Sequence, residues 1–255
     1  MPMPFTRFRS RTAPTNRVAT RCQARFAALF IALLFGRALP ASALEPYSIE
    51  SIELNTADKT GLDKALADKL DPHGSRLTTE SNGLKVTVCE VFWAREVAGQ
   101  AGRAGAKSYY QDLQPGSLVG VIHFLPETDE DYREDFHDQK LAPGYYTMRY
   151  ASQAHSEPSD VLMLTPLSAD RGADSVVASN ELERRSRLAS GTKEPAVLSL
   201  VSPESSKEVE PRARMDEQGT CIFQVKLHVK PATGSPRDAT LAVILVTPRS
   251  QDDGS

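Results

Sequence analysis

The chain has 255 residues, 40% of them apolar and 25% charged, with 15 Gly and 17 Pro, which excludes collagen-like and generally disordered classes. Its formal charge of −3 is unevenly spread: residues 1–43 carry seven Arg, no Lys and no acid, so the other 212 residues hold a net −10. That balance argues against a duplex nucleic-acid partner, which takes clustered Lys and Arg to displace counterions from phosphates.

Six Arg, from Arg7 to Arg25, precede the short apolar run Phe26–Phe35, which is followed by Pro40 and Ala41-Ser42-Ala43. A basic region, a short apolar core and a small-x-small site predict a secretory signal peptide over 1–43, cleaved after Ala43. The run is shorter than the ~20 apolar residues a bilayer span requires, so stable membrane insertion after cleavage is not expected. A retained N-terminal anchor is the rival reading. Two Cys remain beyond this point, Cys89 and Cys221, each within a strand-like apolar run. They are read either as a disulfide, which an exported chain keeps, or as two small buried hydrophobes.

Further along, Tyr47 and Ile49 open a strand or extended lead-in. Leu62, Ala65, Leu66 and Leu70 fall at helical spacing before Asp71-Pro72, with Thr60 as candidate cap. Residues 76–80 and 84–94 read as a hairpin around Asn82-Gly83, whose residues adopt the positive φ of a tight turn. Residues 97–107 hold three Gly among small residues and read as a mobile loop. Pro115-Gly116 and Pro143-Gly144 carry the type II turn pattern and should each deliver the chain into a strand, 118–125 and 145–150. Between them, the acids Glu127, Asp129, Glu130, Asp131, Glu134, Asp135 and Asp138 read as a solvated loop or strand edge, since their spacing does not match an EF-hand. A strand over 160–167 follows.

The period then changes. Residues 175–189 mix Val176, Val177, Leu182 and Leu188 with charges and read as a helix ended by Gly191. Strands resume at 196–201, at 208–215, at 221–229 and at 240–247. In the run from Cys221 to Val229 apolar and polar residues alternate, so one face should be buried and one wet. The apolar Thr240–Thr247 run reads as a central strand, and 248–255 as a disordered tail. These elements predict a mainly β chain, an antiparallel β-sandwich of about eight to ten strands with two short peripheral helices, in one domain over 44–247.

The segment Leu141-Ala-Pro-Gly-Tyr-Tyr-Thr-Met-Arg-Tyr150, the strand Asp160–Leu164, the charged helix and the segment Ser190-Gly-Thr-Lys-Glu-Pro-Ala-Val-Leu-Ser-Leu200 resemble a group of uncharacterised secreted bacterial proteins. More loosely, the turn-and-strand unit is similar to prealbumin-like and carboxypeptidase-regulatory-like sandwich modules. The resemblance implies the fold and carries no activity. Residues 151–159 are shorter and more polar than the corresponding loop of that group.

No nucleophile elbow, P-loop, dinucleotide turn or His-Glu-x-x-His pattern is present, and the five His are scattered. No cofactor or metal is expected from these patterns. Tyr145, Thr147 and Arg149 share one strand face. If Tyr146, Met148 and Tyr150 turn to the core, Tyr145 and Arg149 stand exposed as a candidate ligand-binding patch, or as cross-strand pairs. The function expected is an exported, non-catalytic protein that binds or scaffolds an envelope or extracellular component, periplasmic or secreted. The alternative is a hydrolase or metal-dependent enzyme assembled from distant residues such as His123, Asp135, His137 and His155.

Overall fold

The computed structural model describes residues 47–54, 61–81, 84–101, 108–125, 133–134, 139–152, 159–172, 174–205, 211–217 and 219–246. All lie in the compact unit Ala43–Ser255. The predicted signal segment, Thr60, the Asn82-Gly83 turn, Asp135, His137, His155, most of the acidic stretch and the C-terminal tail lie outside them.

The strands in chain order are β1 (Tyr47–Glu53), β2 (His73–Ser81), β3 (Leu84–Trp93), β4 (Val97–Gly99), β5 (Leu118–Phe124), β6 (Arg133–Glu134), β7 (Lys140–Leu141), β8 (Gly144–Ser152), β9 (Asp160–Pro166), β10 (Val197–Ser199), β11 (Arg212–Met215), β12 (Cys221–Pro231) and β13 (Arg237–Val246). Helix α1 (Lys64–Ala67) lies between β1 and β2, and α2 (Ser179–Ser190) between β9 and β10. α1 is a single turn that Asp63 caps, its carboxylate accepting from the Ala65 N–H at 3.2 Å. α2 starts later than the apolar spacing suggests, because Val176 bridges Ser117 and Val177 N–H donates to the Gly116 carbonyl. It ends as expected, with Gly191 at φ 66° and its N–H on the Arg187 carbonyl.

Seven strands form an antiparallel sheet in the order β1-β2-β3-β5-β8-β9-β10. A second sheet runs β11-β12-β13 and faces it. Alternate residues interlock between the two: Cys221, Phe223, Val225, Leu227 and Val229 of β12 are buried in one cluster with Leu77, Val91, Tyr146 and Met148. The Phe223 ring lies 5.7 Å from Trp93, centroid to centroid. The chain is therefore an antiparallel β-sandwich, mainly β, with two helices outside the layers. Cys89 and Cys221 are both buried in this shared core, as thiols rather than as a disulfide.

Three local expectations are revised. Residues 97–99 do not belong to a mobile loop: β4 pairs in parallel with β12, Val97 opposite Val229 and Gly99 opposite Pro231. The small residues there permit close backbone approach, since a Cβ on Gly99 would lie 2.6 Å from the Val229 side chain. β13 is not central in its sheet. Its far edge instead meets the chain leaving β10, through a Leu200–Val243 bridge and a 3.0 Å bond from Val201 N–H to the Ala242 carbonyl, so one strand path passes from sheet to sheet. Pro115-Gly116 makes the expected turn, with Gly116 at φ 84° and Ser117 N–H on the Gln114 carbonyl at 3.0 Å, whereas Gly144 opens β8 at φ 145°.

The seven-stranded sheet is covered on its second face as well. Leu66 and Leu70, at the α1 end, pack on Phe92, Leu118 and Val121, and Leu182 of α2 packs on Val161 and Met163. Burial of each such side chain contributes about 1.5–3 kcal/mol. Between them the segment after β9 turns back over β8, held by Asp170 N–H on the Pro166 carbonyl and by Val177 N–H on the Gly116 carbonyl, both at 3.0 Å.

Candidate functional site

On this second face five strands contribute one side chain each to a continuous row. Glu50 on β1 is paired with Arg76 on β2, Arg76 with Glu90 on β3, Glu90 with His123 on β5, and His123 with Tyr145 on β8. Each is the outward member of an alternation whose neighbours enter the sandwich core, as Cys89 and Val91 do around Glu90. Cross-strand neighbours on one face lie close enough for direct contact. The Glu90 carboxylate takes Arg76 Nε at 3.0 Å and Nη2 at 2.7 Å on Oε1, and His123 Nδ1 at 3.1 Å on Oε2. Glu50 is ion-paired with Lys85 and lies 3.9 Å from Arg76. At the other end the His123 and Tyr145 rings stack at 3.8 Å with a 6° interplanar angle.

The electrostatics set the protons. Burial would raise the Glu90 carboxyl, but the hydrogen bonds and charges of Arg76 and His123 outweigh it and hold the group below the usual glutamate range. An ionised carboxylate only accepts, so Nδ1 of His123 carries the hydrogen and Nε2 presents a lone pair when the ring is neutral. Burial, helped by the Glu90 charge, raises the Tyr145 phenol, which stays an O–H donor. The His123 and Glu90 side chains are 19% and 12% exposed, so the row is partly open rather than sealed.

The row ends beside a cleft. Leu167 N–H donates to the Tyr145 carbonyl at 3.3 Å, and Leu167 also lines an open depression of about 500 Å³ with Leu62, Leu66, Asp63, Ser168 and Arg171. A second groove of about 350 Å³ lies between Lys69, Arg95 and Leu118.

Of the two residues expected to form a ligand patch, only Tyr145 stands in the row. Arg149 does share the strand face of Tyr145 and Thr147, and Tyr146, Met148 and Tyr150 do enter the core, but Arg149 is 0% exposed. Its Nε and Nη2 bind the Asp170 carboxylate at 2.5 and 3.1 Å, Nη1 donates to the Gly116 carbonyl at 2.9 Å and Nη2 to that of Asp174 at 3.0 Å. Thr147 Oγ1 adds 2.9 Å to the same carboxylate. The Asp170 and Asp174 contacts belong to the segment folded back over β8 and the Gly116 contact to the turn before β5, so Arg149 fastens the second face and is not available to a ligand.

Glu50, Arg76 and Glu90 are the row residues that sequence reasoning missed, and of these Glu90 left a trace in the sequence. The signal was a lone carboxylate inside the apolar run 84–94, the pattern of a buried acid that needs partners. Of the residues considered for an assembled catalytic centre, His123 is engaged as above, while Asp135, His137 and His155 lie outside the described residues. His228 is separate, with Nδ1 on Asp238 at 3.2 Å on the outer surface of the smaller sheet. Among the described residues no group of three or more His, Cys, Asp or Glu is placed to hold a metal ion, and no helix is long and apolar enough to cross a membrane.

The row thus offers a fixed imidazole nitrogen, a phenolic hydroxyl and a carboxylate already satisfied from both sides, an arrangement suited to hydrogen-bonded recognition. No family model, no curated protein and no solved structure matches the chain.

Proposed function

We propose that the chain is exported under the direction of residues 1–43, and that residues 44–247 act as one non-catalytic sandwich domain that binds a component of the cell envelope or its surroundings. The N-terminal pattern of Arg residues, apolar run and Ala-Ser-Ala supports export. The observation that carries binding is the five-strand row, in which His123 and Tyr145 are held rigidly at a partly open surface by Glu90 and Arg76. Sites on strands are positioned more sharply than sites on loops, and here each side chain is fixed by its cross-strand neighbour.

The test is retention of the purified protein on insoluble envelope material. His123→Ala combined with Tyr145→Ala should lower retention at least tenfold while the urea midpoint shows the fold intact. Full retention by that folded variant would remove the row as the contact surface. The Glu90–His123 pair also favours a second reading, because a carboxylate that fixes Nδ1 leaves Nε2 as a general base. A hydrolytic activity that falls about 10²–10⁴-fold in His123→Asn would establish that reading in place of the first.

A further inference from the structure

The charges of the row are internally matched. Glu90 is bound by Arg76 and His123, and Glu50 by Lys85 with Arg76 nearby, so with the His123 ring neutral two carboxylates face two cations. Such a surface has no spare cation for a phosphate or an acidic polymer, and no spare carboxylate for a cationic one. What it leaves open are the Tyr145 hydroxyl and His123 Nε2. Among the described residues neither atom has a hydrogen-bond partner, and both residues are partly exposed.

These two atoms are complementary to each other. With the ring neutral, Nδ1 holds the ring hydrogen on Glu90 and Nε2 accepts, while the phenol donates. The 3.8 Å stack keeps them on parallel planes beside aromatic surface. One acceptor and one donor in fixed relation, with ring edges alongside and no net charge, match adjacent hydroxyls on a sugar ring, since each hydroxyl both donates and accepts while the C–H groups pack on the aromatics. The pairing would leave a charged ligand with unmatched charge at a partly desolvated surface, which is costly. We propose that the Tyr145–His123 end of the row binds a neutral polyhydroxylated glycan, with neighbouring sugar hydroxyls bridging the phenol and Nε2. The inference rests on the row being the contact surface, and goes further by naming what it contacts.

The experiment is calorimetric titration of the full protein with soluble neutral glucans of β-1,3, β-1,4 and α-1,6 linkage and with a galactomannan, alongside an anionic polygalacturonate, each at low and moderate salt. Binding to at least one neutral glycan, unchanged by salt, is expected. Tyr145→Phe keeps the stack and removes only the hydroxyl, and His123→Gln removes the imidazole acceptor. Each should weaken that binding about two- to tenfold, the loss of one hydrogen bond, Tyr145→Phe with an unchanged thermal midpoint and His123→Gln with a cooperative unfolding transition retained. Binding confined to polygalacturonate and weakened by salt would overturn the inference, as would neutral-glycan binding indifferent to both variants. If no neutral glycan binds while envelope retention still depends on His123 and Tyr145, the glycan is wrong and the binding surface stands; if retention is independent of them too, both fail.

Discussion

Replacing Arg149 by Met tests the most consequential contact in the fold. The substitution keeps an unbranched apolar stem and removes the guanidinium, leaving the Asp170 carboxylate, only 2% exposed, with Thr147 Oγ1 and Gly172 N–H at 2.9 Å and Arg185 at 3.7 Å. The Asp174 carbonyl loses its donor at the same time. Breaking one partner out of a buried pair costs about 3–5 kcal/mol, a large part of the about 5–15 kcal/mol that holds a domain together. For a domain of this size that is a fall in Tm of about 6–20 °C. Urea denaturation of both proteins measures it, and Arg149→Met with Asp170→Asn should cost less than the two single changes summed, because the stranded charge is gone. The pH dependence has a definite sign. Burial would raise the Asp170 carboxyl, but the hydrogen bonds and charge of Arg149, with Gly172 and Thr147, hold it below the usual aspartate range. That stability is present above the unfolded carboxyl's pKa, about 3.9, and is lost as pH falls through the lower folded value. The gap between the native protein and Arg149→Met should therefore narrow on acidification. A loss below about 1 kcal/mol at neutral pH, or strict additivity in the double variant, would refute the assignment of Arg149 as the fastening of the second face.

Two further outcomes follow from close contacts. Gly116→Ala should destabilise by at least about 2 kcal/mol, since the residue sits at φ 84° and a Cβ there would lie 1.8 Å from the Val177 carbonyl oxygen, whereas Gly191→Ala, with open space around it, should cost only about 1 kcal/mol; equal urea midpoints would contradict the contact. In a Cys22→Ser background, Cys89 and Cys221 should resist thiol reagents until global unfolding, and reductant should leave the thermal midpoint unchanged, because both are fully buried thiols; a midpoint lowered by reductant would show a bridge instead.

The segments 145–150 and 190–192 have a structural meaning. In the Tyr-Thr-Met-Arg-Tyr stretch, Thr147 and Arg149 both bind Asp170, while Tyr146 and Tyr150 fill the core and Tyr150 donates to Asp160 at 2.8 Å. In Ser190-Gly-Thr, the Ser190 hydroxyl accepts from Thr192 N–H at 3.2 Å and donates to the Glu194 carbonyl at 2.7 Å, closing the turn behind α2. Both are devices of folding, which is why their residue pattern by itself discloses no chemistry.

Local pattern alone determined the mainly β character, the end of α2 at Gly191, the turn at Gly116 and the division of β8 into two faces; in β12 the expected wet face begins only at Lys226, because Ile222 and Gln224 are buried as well. Each of these depends on φ limits or on the two-residue repeat of an extended chain, quantities confined to a few neighbouring residues. Tertiary structure decided what lies over each face. Arg149 and Tyr145 occupy equivalent positions in the alternation, yet one is sealed by the 170–177 segment and the other meets His123 at the surface. Likewise Glu50, Arg76, Glu90 and His123 become neighbours only through strand order and register, which are set by the packing of both layers and by a helical cover drawn from far along the chain. A period of two fixes which side chains travel together; it carries no information about which distant segment will cover them.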